Sequence, residues 1–133
     1  MRIDADAVIW SAPERERAGR PLLVLLHGYG SHEGDTFALS RSLPLEPVIA
    51  AVRAPHAEGA GYTWYPPAGA AADVGVSADE RFDAVGKSVC ALVEWLNSTT
   101  SAGVGLLGLS QGGAMALELM RAEGLEGIFT RHQ

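Results

Sequence analysis

Three short apolar runs constrain this chain more than any other feature. Residues 22–26 (LLVLL), 48–52 (VIAAV) and 104–109 (VGLLGL) contain no polar side chain. Strands exposed on one face alternate apolar with polar residues, whereas runs like these suit strands covered on both faces, as in parallel sheets. A fourth strand is expected at 7–10. The segments between them carry a different period. Residues 78–96 place Phe82, Val85, Val89, Leu92, Val93 and Leu96 at steps of three and four, the spacing of a helix with one buried face. Ser77 and Glu80 have the spacing of a capping box at its start. Shorter helices are expected at about 35–42 and 111–122, and the apolar patch at 125–129 could begin a further strand. Strands alternating with helices predict an α/β fold, a three-layer, mostly parallel sheet of about four or five strands joined by right-handed crossovers.

The chain has 133 residues, the length of one domain, read here as a single domain over 1–133. No repeat or heptad pattern divides it. Residues 13–21 are polar and read as a solvated loop. Residues 54–75 are rich in Ala, Gly and Pro and read as a long irregular connection; such loops are often functional. The formal net charge is −6, which disfavours a phosphate-backbone partner, so no nucleic acid is expected. The single cysteine, Cys90, excludes an internal disulfide and is expected to be a small buried residue of the long helix. The first six residues lack the apolar core of a signal peptide, and no run approaches the length of a membrane span. A cytoplasmic protein without a transmembrane segment is the expectation.

Gly108-Leu109-Ser110-Gln111-Gly112 has the form G-x-S-x-G, with an apolar strand before it and a helix pattern after it. In that context the pattern predicts a sharp turn that lifts Ser110 clear of the sheet edge as a nucleophile. The helix that follows aims its N–H groups at the site, so the Gln111 N–H is a candidate oxyanion donor. His27-Gly28-Tyr29-Gly30 follows an apolar strand at the place where the second donor is needed, and the Tyr29 N–H is the candidate. His27 reads as a structural residue of that loop, because an oxyanion needs N–H groups rather than an imidazole.

Taken together, LLHGYGS (25–31), AVRAPHAEGAGYTWYPP (51–67) and GLSQGGAMAL (108–117) resemble the α/β-hydrolase family of phospholipase/carboxylesterases and acyl-protein thioesterases. The resemblance runs from about residue 22 to 119. It implies a cofactor-free and metal-free hydrolase of small-molecule carboxylic esters or thioesters. Ser110 would be the nucleophile, and the Tyr29 and Gln111 amides would form the oxyanion hole. His27, Gly28, Arg53, Trp64 and Met115 would surround the substrate.

The same resemblance marks a departure. The triad order in this fold is Ser, then Asp or Glu, then His. None of Glu118, Glu123, Glu126 or His132 lies in a family-like Asp or His motif, and the chain reads as the N-terminal two-thirds of such an enzyme. His132 beside Ser110 would be a substitute base, but Glu126 would sit at the far end of that strand. His56 reads as a loop residue and His32 as a helix entry. A second reading is therefore a hydrolase-derived module without catalysis. On either reading, a sheet that stops early exposes a strand edge through which copies could associate. Gly103, Gly105 and Gly108 also spell G-x-G-x-x-G, but within the strand rather than after it, which argues against a dinucleotide site.

Overall fold

The computed structural model describes residues 2–43, 46–65, 78–99 and 103–121. The expected strand at 125–129, His132, Glu123, Glu126 and the Ser77 cap lie outside them.

Four strands form the main sheet in the order β1-β3-β2-β6. They are β1 (Ile9–Trp10), β2 (Leu22–Leu26), β3 (Val48–Val52) and β6 (Val104–Gly108). β2 is parallel to both neighbours, pairing Leu26 with Val52 on one side and with Gly108 on the other. β1 is the antiparallel edge, with Ile9 opposite Ala51. Among the described residues, β6 pairs only with β2.

Alternation along the strands divides the core into two layers, because successive side chains point to opposite faces. Val24, Leu26, Val48, Ala50 and Val52 face α2 (Ala78–Asn97) and α3 (Gln111–Arg121), where Leu92, Trp95, Leu96, Met115 and Leu119 meet them. Leu25, Ile49 and Ala51 face the other way, against Phe37 and Leu43. Phe37 ends the short helix α1 (Glu33–Phe37), which runs into a 3-10 turn at Ala38–Ser42. The expected three layers are present, and β2 and β3 have the expected bounds.

Several local expectations need correction. Cys90 is exposed. It lies two residues, about 200° round the helix, from both Ser88 and Leu92, which are buried, so the same periodicity turns it outward. Phe82 is 82% exposed, because the covered face of α2 begins only with Val85 and Ser88. The polar 13–21 segment contains a 3-10 turn at Glu14–Glu16, after which the Arg17 guanidinium lies 3.7 Å over the Trp10 ring.

The 54–75 stretch is not irregular throughout. It contains an antiparallel hairpin of β4 (His56–Glu58) and β5 (Gly61–Thr63). The two strands meet at Glu58 and Gly61, leaving a two-residue loop of Gly59 and Ala60. Gly59 has φ +59, the backbone required at the first position of a type II′ turn. His56, expected in a loop, sits on β4 opposite Thr63.

Candidate active site

β2, β3 and β6 all end at one edge of the sheet, and the residues just past those ends build the site. Ser110 lies between β6 and α3 with φ +56, the only positive φ of a non-glycine among the described residues. That conformation costs an L-residue about 1–2 kcal/mol, so the surroundings must impose it. Two glycines do so. A Cβ at Gly108 would collide with the backbone of Gly112 and Gly113, and a Cβ at Gly112 would run into the Leu26 carbonyl. Strand, turn and helix therefore pack backbone to backbone, and Leu109 N–H donates to the Leu26 carbonyl at 3.0 Å. Ser110 is exposed at the apex.

Gly28, after β2, lies against this turn. A Cβ there would sit 3.4 Å from Ser110 Cβ and 4.0 Å from its Oγ. The hairpin holds the Gly28–Ser31 loop in place. Gly30 N–H donates to the Tyr62 carbonyl at 2.9 Å, and Tyr62 N–H to the Ser31 carbonyl at 2.8 Å. Gly61 has no side chain to block that approach, since a Cβ would strike the Gly30 and Ser31 carbonyls. Among the described residues, neither the Tyr29 nor the Gln111 backbone N–H donates to a protein acceptor. Both N–H groups are thus without an acceptor among the described residues. Tyr29 is 41% exposed.

Behind this surface lies a buried polar network. The Gln111 side chain accepts from Trp64 N–H at 2.9 Å and from the Thr63 hydroxyl at 3.1 Å, and donates to the Tyr65 carbonyl at 2.6 Å. The Trp64 indole N–H donates to the His27 carbonyl at 2.9 Å, and the Ser88 hydroxyl donates to the Trp64 carbonyl at 2.6 Å. The 28–31 loop, the hairpin, the long helix and the 108–112 turn are therefore tied by four side chains, those of Gln111, Trp64, Ser88 and Thr63, with the His27 backbone carbonyl as one acceptor. The role of the Gln111 side chain was hidden in the sequence, where its backbone amide had a reason and its amide group had none.

His27, Trp64 and Met115 have 0% exposure, so they support the site from behind instead of presenting surface to a ligand. His27 is held below the ordinary histidine pKa chiefly by burial, opposed by its hydrogen bond to the Gly28 carbonyl and by Glu33. Arg53 is half-buried and committed. Its Nε and Nη2 reach the two carboxylate oxygens of Glu33 at 2.9 and 2.7 Å, and its guanidinium lies 4.4 Å over Tyr62. That bidentate bond holds the Glu33 carboxyl below its usual range. His32 caps α1, accepting from Gly34 N–H at 3.0 Å. Neither His32 nor His56 bonds to Ser110. Among the described residues no group of three potential metal ligands occurs.

The backbone resembles solved structures of esterases. A carboxylesterase from Mesorhizobium loti superposes with a TM-score of 0.67 at 20% identity, over 95% of this chain. Esterase PE8 does so with 0.61 at 27% over 90%, and Zea mays acyl-protein thioesterase 2 with 0.63 at 20% over 94%. The chain has a carboxylesterase-like α/β-hydrolase fold. It spans 57–59% of the length of these three proteins. No family model matches the sequence, and a search of curated proteins finds no match to it.

The turn at Ser110 is the junction between the end of β6 and the start of α3. The alternative use of the glycines at 103, 105 and 108 finds no support in the geometry. Gly105 and Gly108 are inside β6, and the space at Gly108 is filled by the backbone of α3.

Proposed function

We propose that this chain carries the nucleophile and oxyanion hole of a serine hydrolase acting on carboxylic esters or thioesters. The observation that carries the reading is Ser110 at φ +56, raised on a glycine-packed turn, with the Tyr29 and Gln111 N–H groups lacking an acceptor among the described residues. In this reaction Ser110 Oγ attacks the substrate carbonyl carbon while a general base takes its proton. The Tyr29 and Gln111 N–H groups hold the negative oxygen of the tetrahedral intermediate. Collapse expels the alcohol or thiol, which takes up a proton, and water then releases the acid from the acyl-serine. Among the described residues no side chain hydrogen-bonds to Ser110 to act as that base.

The reading needs no cofactor or metal and takes a small molecule as its substrate. We also propose a cytoplasmic protein that has no nucleic acid as a partner. No helix of the described residues is long and apolar enough to cross a membrane. We further propose that copies associate across the β6 edge; light scattering that shows the monomer mass at every concentration would count against this.

Turnover of short-chain p-nitrophenyl esters by the purified chain, beside Ser110→Ala, tests the reading. Hydrolysis that disappears in Ser110→Ala supports it. A folded chain whose rate equals that of Ser110→Ala supports the alternative of a module without catalysis.

A further inference from the structure

We propose that His27 is a positioning residue whose Nδ1–H fixes the Gly28–Tyr29 peptide so that the Tyr29 N–H is presented to an oxyanion formed at Ser110. This deepens the hydrolase reading and rests on it. The geometry first settles the tautomer. Ala54 N–H, on a residue 1% exposed, lies 3.0 Å from His27 Nε2, so Nε2 must accept. The proton is then on Nδ1, 2.7 Å from the Gly28 carbonyl oxygen. That carbonyl belongs to the same planar unit as the Tyr29 N–H. The described chain has no cis peptide bond, and in a trans peptide C=O and N–H point in opposite directions. Holding the oxygen inward on the imidazole therefore turns the Tyr29 N–H to the opposite side of the peptide, one residue past Gly28, which itself lies against Ser110. Ser31 N–H adds a second, longer bond to the same oxygen, at 3.2 Å. The ring cannot turn away, because Trp64 packs on it with centroids 5.5 Å apart and bonds the His27 carbonyl. With both nitrogens engaged and no exposed surface, His27 is not the base of Ser110.

Two substitutions separate this role from packing alone. Asn carries its amide nitrogen near the place of Nδ1 and can keep the bond to Gly28. Gln reaches the place of Nε2 and keeps Ala54 satisfied, but leaves the Gly28 carbonyl free. In the ¹⁵N-labelled full chain, long-range spectra are expected to show the His27 proton on Nδ1. The Tyr29 amide resonance is expected to stay in place in His27→Asn and to move or split in His27→Gln. Loss of one oxyanion donor costs about 10²–10³-fold, so fluorophosphonate labelling should fall at least ~30-fold in His27→Gln and by no more than ~3-fold in His27→Asn. A purely structural histidine would not produce that ordering at equal folded fraction. A wild-type proton on Nε2, a Tyr29 amide unmoved in His27→Gln, or equal labelling of the two variants would each overturn the proposal. If the wild type does not label at all, the hydrolase reading fails, and the two spectroscopic results still decide the peptide's orientation.

Discussion

Replacing Gln111 with Ala tests whether one side chain fastens the 63–65 segment to the elbow. Its three hydrogen bonds are not equivalent. The one Thr63 hydroxyl proton lies between Gln111 Oε1 at 3.1 Å and the Tyr65 carbonyl at 2.8 Å, so Thr63 and Tyr65 keep each other when the amide is removed. The Trp64 N–H, on a residue with 0% exposure, has no other acceptor among the described residues. One orphaned buried donor costs about 1–3 kcal/mol. The lost methylene of a side chain that is itself buried adds roughly 0.8 kcal/mol. Gln111→Ala should therefore destabilise by about 2–4 kcal/mol. With a urea slope of about 1.5–2 kcal/mol/M, the midpoint should fall by roughly 1.5 M at unchanged slope. Gln111→Met restores most of the volume and isolates the polar share, about 1–3 kcal/mol. Midpoints within ~0.3 M of wild type in both variants would show that the amide holds nothing and would refute the reasoning.

The elbow makes its own prediction: Ser110→Gly should be more stable than Ser110→Ala by about 1 kcal/mol in urea unfolding, because only glycine relieves φ +56. Gly112→Ala should cost at least ~3 kcal/mol or prevent folding, since its Cβ meets the Leu26 carbonyl. Gly86→Ala, in open space within α2, should instead stabilise by about 0.5–1 kcal/mol; equal thermal shifts in these two variants would contradict the packing. Acid should destabilise the fold in two steps. His27 is held below its ordinary value of 6.5, so the unfolded chain binds the extra proton first and stability falls as pH drops below that value towards the folded one. Glu33, held below 4.5 by Arg53, contributes stability above 4.5 that is lost as pH falls through its folded value. Urea midpoints measured against pH should show the upper step vanish in His27→Asn.

The parts of this fold that were legible in the sequence are those fixed by local pattern. β2 and β3 are uninterrupted apolar runs, and α2 carries a helical period over 20 residues. The turn at Ser110 was legible because two glycines flank it and strand and helix signals meet there. The hairpin was not, since six short strand residues carry no period; Gly59 in the first loop position was its one signal. Cys90 and Phe82 were misjudged because an apolar residue on a helix need not lie on the covered face. Trp64 and His27 read as residues near a ligand because their types suit one. Their hydrogen bonds to Gln111, Ala54 and Ser88 span 24 to 47 positions, a separation that no local pattern encodes.

The proposed function requires Ser110 to sit in a working elbow with an oxyanion hole. Intact-mass analysis of the purified chain treated with a fluorophosphonate, beside Ser110→Ala, tests it most directly. One adduct per chain, located at Ser110 and absent from the Ser110→Ala variant, is the expected result. A folded chain that remains unmodified, or an adduct that persists in Ser110→Ala, would contradict it.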